Sequence, residues 1–232
     1  MPAIPRLIGA DGCPGAWMVA LEYEDQSTSL ERWDTQRLGA IARLPAVAAV
    51  VVDIPIGLTA TGSRRCDLEA RKRLGRARGS SVFPAPLRSM LVARDYQDAQ
   101  RIRCRVEGKG CSRQAFGILA RVAEIDRLAG GPGGSKLHEG HPELAFLAMA
   151  GDSPPLASKH SPAGRSARWT LLRSWFPLVE QLDPVRPSAG DSLDALACLW
   201  TARRIMRGTA RCLPATVEQR DPHLNRLIRI WF

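Results

Sequence analysis

Two aspartates stand where short apolar runs give out. Asp11 follows Leu7-Ile8-Gly9-Ala10 and Asp53 follows Val50-Val51-Val52, and turn formers trail each of them, Gly12 in one case and Pro55 with Gly57 in the other. Further on, Glu143 follows His141-Pro142, while Asp191 and Asp194 open a long apolar stretch. Carboxylates gathered from separate elements suit a hard divalent cation, because Mg²⁺ prefers oxygen donors and keeps several waters. Two such ions about 3.5–4 Å apart activate water and stabilise the leaving oxygen in phosphodiester hydrolysis. The expected metal donors are therefore Asp11, Asp53, Asp191 and Asp194, with Mg²⁺ or Mn²⁺ as cofactor. Asp11, Asp53, Glu143 and Asp194 form the expected catalytic set, with Glu124 and His141 as auxiliaries.

Each acid also has a plain structural reading. Asp-Gly at 11–12 is a common turn pair, and Asp53 before Ile-Pro caps a turn. Glu143, Asp191 and Asp194 suit the first turn of a helix, where acids complement the dipole. Asp191 and Asp194, three apart, share a helix face. His141 beside Pro142 reads as a structural imidazole as readily as a catalyst. The combination, not any single residue, carries the chemical expectation.

Charge points the same way. The chain has 33 Lys and Arg against 23 Asp and Glu, a net charge of +10, which favours polyanionic partners. Nucleic acid or a phosphorylated small molecule fits. Arg64, Arg65, Arg71 and Arg88 are the expected phosphate binders, through forked donors. A solvated basic face and an arginine-rich genome are the simpler alternatives, since only four of the basic residues are lysines. The six cysteines form no C-x-x-C pair. Cys104 and Cys111 with His138 and His141 would supply four zinc ligands, but the gap between the two cysteines is long for a zinc module. Isolated thiols are the simpler reading.

The elements that must position these groups follow from pattern. Residues 6–10, 16–22 and 26–33 read as strands, 35–44 as a helix stopped by Pro45, and 47–54 as a strand buried on both faces. A right-handed crossover lays that fourth strand parallel to the first. Asp11 and Asp53 then meet at the carboxyl edge, where open α/β sheets bind ligands. Residues 64–78 read as basic and irregular, 113–128 as a helix and 136–140 as a fifth strand. Helices follow over 143–149, 167–176 and 191–206, with a Pro/Ser loop at 151–164. One domain over 1–232 is expected, with an insertion at 58–112.

Composition excludes other classes. With 45% hydrophobic and 24% charged residues, wholesale disorder, collagen and coiled coil are ruled out. The longest uncharged apolar run, residues 44–52, is far short of the roughly 20 residues a membrane helix needs. Asp11 arrives too early for a signal-peptide apolar region. A soluble cytoplasmic protein without a membrane partner is expected.

Several blocks together resemble a known family. They are Ile8-Gly9-Ala10-Asp11-Gly12-Cys13 with Trp17, Val52-Asp53-Ile54-Pro55-Ile56-Gly57-Leu58, and Arg65-Cys66-Asp67 with Arg71 and Gly75. Val82-Phe83-Pro84-Ala85-Pro86 with Arg88, and Glu124-Ile125-Asp126 closing residues 112–126, come next. Glu139-Gly140-His141-Pro142-Glu143 with Phe146, and Asp191-Ser192-Leu193-Asp194-Ala195-Leu196, complete the series. In this order, from about residue 7 to 208, they are similar to the domain-of-unknown-function family numbered 429, predicted nucleases of RNase H-like fold.

The resemblance implies a mixed five-stranded sheet in the order 3-2-1-4-5, flanked by helices, with a helical or loop insertion after the fourth strand. It also implies that Asp11, Asp53, Glu143, Asp191 and Asp194 surround one cleft. The closing Asp-x-x-Asp-Ala helix is like the last helix of Holliday-junction resolvases. Family members often carry Asp-Asp where this chain has Gly190-Asp191, so one ligand is missing here. The blocks around Arg65, Asp67, Arg71 and Arg88 suggest a substrate wall particular to the family.

A metal-dependent phosphodiesterase acting on nucleic acid is the leading expectation. The alternative is a non-catalytic module that binds nucleic acid or protein on the same fold. An actin-like phosphotransferase shares the Asp-Gly turn, but such proteins duplicate the domain and no repeat is found here. A homo-oligomer is left open, with Trp231 as an apolar contact.

Overall fold

The computed structural model describes residues 3–152, 157–182 and 189–232. The chain opens with β1 (Leu7–Cys13), β2 (Ala16–Glu22), β3 (Thr28–Trp33), α1 (Thr35–Ala42) and β4 (Ala49–Val52). Pro14-Gly15 makes the first hairpin, where Gly15 supplies a left-handed φ of 71°. Asp34 caps α1 by accepting from the Arg37 amide. All four residues of β4, Ala-Val-Val-Val, are buried, as a central parallel strand requires.

Next come α2 (Arg65–Arg78), α3 (Tyr96–Glu107), α4 (Arg113–Gly117), α5 (Leu119–Ala129), β5 (Leu137–Gly140), α6 (Pro142–Met149) and α7 (Pro162–Arg173). The chain closes with α8 (Ala189–Met206), β6 (Cys212–Leu213), β7 (Arg220–Asp221), β8 (Arg226–Leu227) and β9 (Ile230–Trp231).

The central sheet runs β3-β2-β1-β4-β5-β9-β6. β1 pairs antiparallel with β2 and parallel with β4, and β5 lies parallel to β4. The expected 3-2-1-4-5 order is present, and the C-terminal β9 and β6 extend it. Alternation along the strands sorts the core into two layers. Leu7, Ala20, Ala49 and Val51 face α8, α6 and α7, while Ile8, Ala10, Val50 and Val52 face α1 and α5. The result is helices on both faces of one mixed sheet.

One close approach sets the spacing of α8. A Cβ at Gly9 would run into the backbone of Ala195 and Leu199, so α8 lies against β1 with only hydrogen between them.

The structure departs from the pattern reading in several places. Residues 65–78 form α2, interrupted at Gly75 (φ 65°), where irregular chain was expected. Its buried side, Cys66, Ala70 and Leu74, recurs every fourth residue but is submerged in charge. The expected helix over 113–128 comes as two, α4 and α5, which meet at Ile118. α7 starts earlier than expected, at Pro162, with Ser161 accepting from the Gly164 amide as its cap. β1 continues through Asp11 to Cys13 instead of closing at Ala10. Trp231 is half-buried in β9, set edge-to-face against His138, where an exposed side chain was expected. Part of the expected loop at 151–164, residues 153–156, lies outside the described residues. Among the described residues no helix is long and apolar enough to cross a membrane.

Candidate functional site

Register brings the two strand aspartates together. Ala10 pairs with Val52, and the Asp53 amide donates to the Ala10 carbonyl at 3.0 Å, so Asp11 and Asp53 are the next residues on neighbouring parallel strands. Both have the parity of Val51, which turns them toward α8. The N-terminal turn of α8, held against β1 at Gly9, carries Asp191 and Asp194 to the same place. A cleft of about 580 Å³ opens there, lined by Asp11, Asp53, His141, Glu143, Lys159 and Asp191 among others.

These acids crowd one another. Burial pushes the Asp11 carboxyl well above its ordinary value, and the charges of Asp53 and Asp194 push it further. Asp53 is raised by burial as well; Asp194 and Glu143 add to the shift, while His141 and Lys159 work against it. Asp191 is raised by burial and by Asp194. Among the described residues, neither the Asp11 nor the Asp53 carboxylate makes a hydrogen bond or salt bridge with protein. Asp194, 2% exposed, accepts from Lys159 Nζ at 2.6 Å. The charge of Asp194, with help from Asp53 and Asp11, raises Lys159 above its ordinary value and keeps it an ammonium.

Glu143 also reaches the cleft, but both its oxygens are engaged. Arg168 holds them at 2.7 Å each, and Arg78 at 2.9 and 3.2 Å. Burial alone would raise this carboxyl, yet the two guanidinium groups outweigh it and hold Glu143 below its ordinary value. His141, the cap residue of α6, lines the cleft with its Nδ1 buried and without a partner. Glu124 does not join this group. It sits on α5, accepting from Thr35 Oγ1 at 2.6 Å, and Thr35 in turn accepts from Trp17 Nε1 at 3.0 Å.

The expected phosphate arginines are mostly committed elsewhere. Arg64, 2% exposed, bridges Asp67 (2.5 and 3.1 Å) and Glu139 (2.6 and 2.7 Å). Arg88 bridges Asp126, at 2.6 Å, and Asp221. Arg71 donates twice to the Val82 carbonyl, at 2.9 and 2.7 Å. Of the four, Arg65 alone is exposed. Glu139 shares the parity of Leu137 and so turns toward the α1/α5 face, while Arg64, Asp67 and Glu139 line the same cleft as Asp11 and Asp53.

Pattern reading missed Lys159. The available signal was its type, one of four lysines among 33 basic residues.

The donor set limits what it would hold. Among the described residues no group of three or more His, Cys, Asp or Glu is placed to hold a metal ion. That covers Cys104, Cys111, His138 and His141 as a zinc set, for which the nitrogen and sulfur donors do not converge. It also leaves no full complement of carboxylates for a metal pair. What remains is the unpartnered couple Asp11 and Asp53. Two hard oxygens with room for water suit one Mg²⁺ or Mn²⁺, which commonly binds through one or two carboxylates.

Fold and site thus define a class: a mixed-sheet α/β protein with an acid-lined cleft at the carboxyl edge of its central strands. Within that class, the family described as "Protein of unknown function (DUF429)" matches residues 9–219, and the chain belongs to it. No curated protein and no solved structure matches the chain.

Proposed function

We propose that this protein is a metal-dependent phosphodiesterase of RNase H-like fold, acting on nucleic acid in the cleft at Asp11 and Asp53. The observation that carries the proposal is the adjacent, unpartnered state of those two carboxylates, crowded by a third acid from α8. Perturbed carboxyl groups of this kind, gathered in a cleft, mark functional sites. The order β3-β2-β1-β4-β5 supports the fold assignment.

Asp11 and Asp53 hold the ion. When bound, a divalent ion supplies Lewis acidity and lowers the pKa of water. The water oxygen bonds to phosphorus as the ester P–O bond breaks; the water loses one proton and the leaving oxygen gains one, giving a phosphomonoester and an alcohol. Asp194 and Lys159, paired at 2.6 Å, set the charge beside the two aspartates that would hold the ion. Glu143, clamped by two arginines, shapes the cleft wall. Steering of polyanions falls to the surplus positive charge, with Arg65 among the exposed arginines. Six free cysteines fit a reducing cytoplasmic setting.

A second reading, a binding module without catalysis, is favoured by one observation: Asp194 and Glu143 already carry counter-ions. The two readings separate on one experiment. Cleavage of single- and double-stranded nucleic acid is measured with and without Mn²⁺ in the wild type, Asp11→Asn and Asp53→Asn. The nuclease reading expects metal-dependent cleavage that both variants lose while keeping wild-type circular dichroism. Wild-type rates in both variants would overturn it. Salt-sensitive binding indifferent to metal would favour the module.

A further inference from the structure

We propose that Lys159 is the second positive charge of the cleft, so that the site takes one divalent ion, at Asp11 and Asp53, where a metal pair would otherwise sit. The inference rests on the metal-dependent reading above. Its footing is the position of one ammonium. Lys159 Nζ lies 2.6 Å from Asp194 Oδ2, and the carboxylate it neutralises is almost fully buried at the foot of the acidic cluster. The lysine side chain is 36% exposed and lines the cleft, so its charge meets Asp194 on one side and the open cleft on the other.

Apart from Asp191, which lines the cleft without a hydrogen bond or ion pair among the described residues, the neighbouring groups leave a second metal ion little to bind. Glu143 is saturated by Arg78 and Arg168. Gly190 precedes Asp191 on α8 and offers no side-chain oxygen. A second ion at Asp194 would have to displace the ammonium that already neutralises it. Among the described residues no three donors converge, whereas two carboxylates and water are enough for a single Mg²⁺ or Mn²⁺.

The ammonium also suits the task. In a two-ion site the second cation stabilises the leaving oxygen. A lysine is a compact point charge with three rotatable donors, able to keep one on Asp194 and turn another to a phosphate oxygen. A lysine ammonium keeps that charge at every pH near neutrality.

The test counts metal ions on the full chain, independently of turnover. Mn²⁺ is titrated calorimetrically and by electron paramagnetic resonance into wild type, Lys159→Ala and Lys159→Arg, with Asp11→Asn as control. The expected result is one uncoupled Mn²⁺ in wild type and in Lys159→Arg, two in Lys159→Ala, and none in Asp11→Asn. Two ions in wild type would overturn the inference and leave the metal-dependent reading standing. A single ion in Lys159→Ala would also overturn it, because the lysine would then not be filling the second place. An ion in Lys159→Ala with none in wild type would make the lysine a competitor of the first ion, again against the inference. Absence of Mn²⁺ from every variant would remove both this inference and the metal-dependent reading.

Discussion

The two faces of the sheet meet at its carboxyl edge with acids on both, and they treat those acids in opposite ways. On the α1/α5 face, Asp67 and Glu139 share Arg64, and Asp126 and Asp221 share Arg88. Backbone amides fill further lone pairs: Ile56 donates to Glu139 at 2.7 Å and Leu58 to Asp221 at 2.8 Å. On the α8 face, Asp11 and Asp53 have no such partner, and Asp194 has a lysine. In the first arrangement every acid has an arginine partner, though Arg88 Nε and Asp126 Oδ1 stay buried without a hydrogen bond. The second leaves Asp11 and Asp53 without a fork, although Arg78 and Arg168 hold Glu143 in the same cleft. That contrast, more than the acidity itself, separates framework from site.

The largest effect should come from opening the finished side. Arg64→Ala leaves Asp67 and Glu139 buried without a counter-ion and should cost about 3–5 kcal/mol of stability in urea denaturation. A loss under about 1 kcal/mol would show that the network is not framework. Next, Asp11→Asn or Asp53→Asn should lower metal-dependent cleavage by about 100-fold or more, the scale of losing a key electrostatic contact in a transition state. Neither should lower the melting temperature, since each removes an uncompensated charge.

The pH dependence of stability sharpens the comparison for Glu143 and Asp11, two acids of the cleft whose shifts have opposite signs; Glu139, although paired with Arg64, is pushed up to about 7 by burial. Glu143 is held below its ordinary value by its arginines, so its ionised form stabilises the fold. That contribution is present above the ordinary glutamate value and fades as pH falls through the lowered one. Glu143→Gln should therefore be less stable than wild type at pH 7, with the gap closing in acid. Asp11 is raised by burial and by Asp53, so its ionisation costs stability as pH rises above the ordinary aspartate value. Asp11→Asn should be at least as stable as wild type at pH 7, and that difference too should shrink in acid. Differential scanning calorimetry from pH 3 to pH 7, a range spanning the usual carboxyl values, compares the two slopes. Matching signs would undo the distinction. The smallest effect belongs to Glu124→Ala, which loses the hydrogen bond from Thr35 and a long ion pair with Arg121, about 1 kcal/mol, with no change in cleavage.

The opening β-β-β-α-β unit was legible because turn formers punctuate it and because chirality restricts how the fourth strand returns. The meeting of Asp11 and Asp53 followed from that alone. α2 was hidden because its four-residue apolar repeat is flanked by arginines, and α3 because little besides Ala99 and Arg103 is buried on it. β6 and β9 are two residues each and exist only by pairing with distant chain, which no local pattern records. The arginines were harder still. A guanidinium that clamps a phosphate and one that braces two carboxylates are the same letter in a sequence, and only the fold tells Arg64 from Arg65. Lys159 lies in a loop between helices, where spacing carries no positional information.

The contact at Gly9 bears on when the cleft first exists. Asp11 and Asp53 leave the ribosome early, yet their third companion, Asp194, arrives on a helix that begins at residue 189 and must seat itself on bare backbone. A nascent chain stopped before that docking carries both strand aspartates and lacks the assembled pocket. The acidic cluster is therefore complete only once residues 189–206 have been made and have settled onto β1.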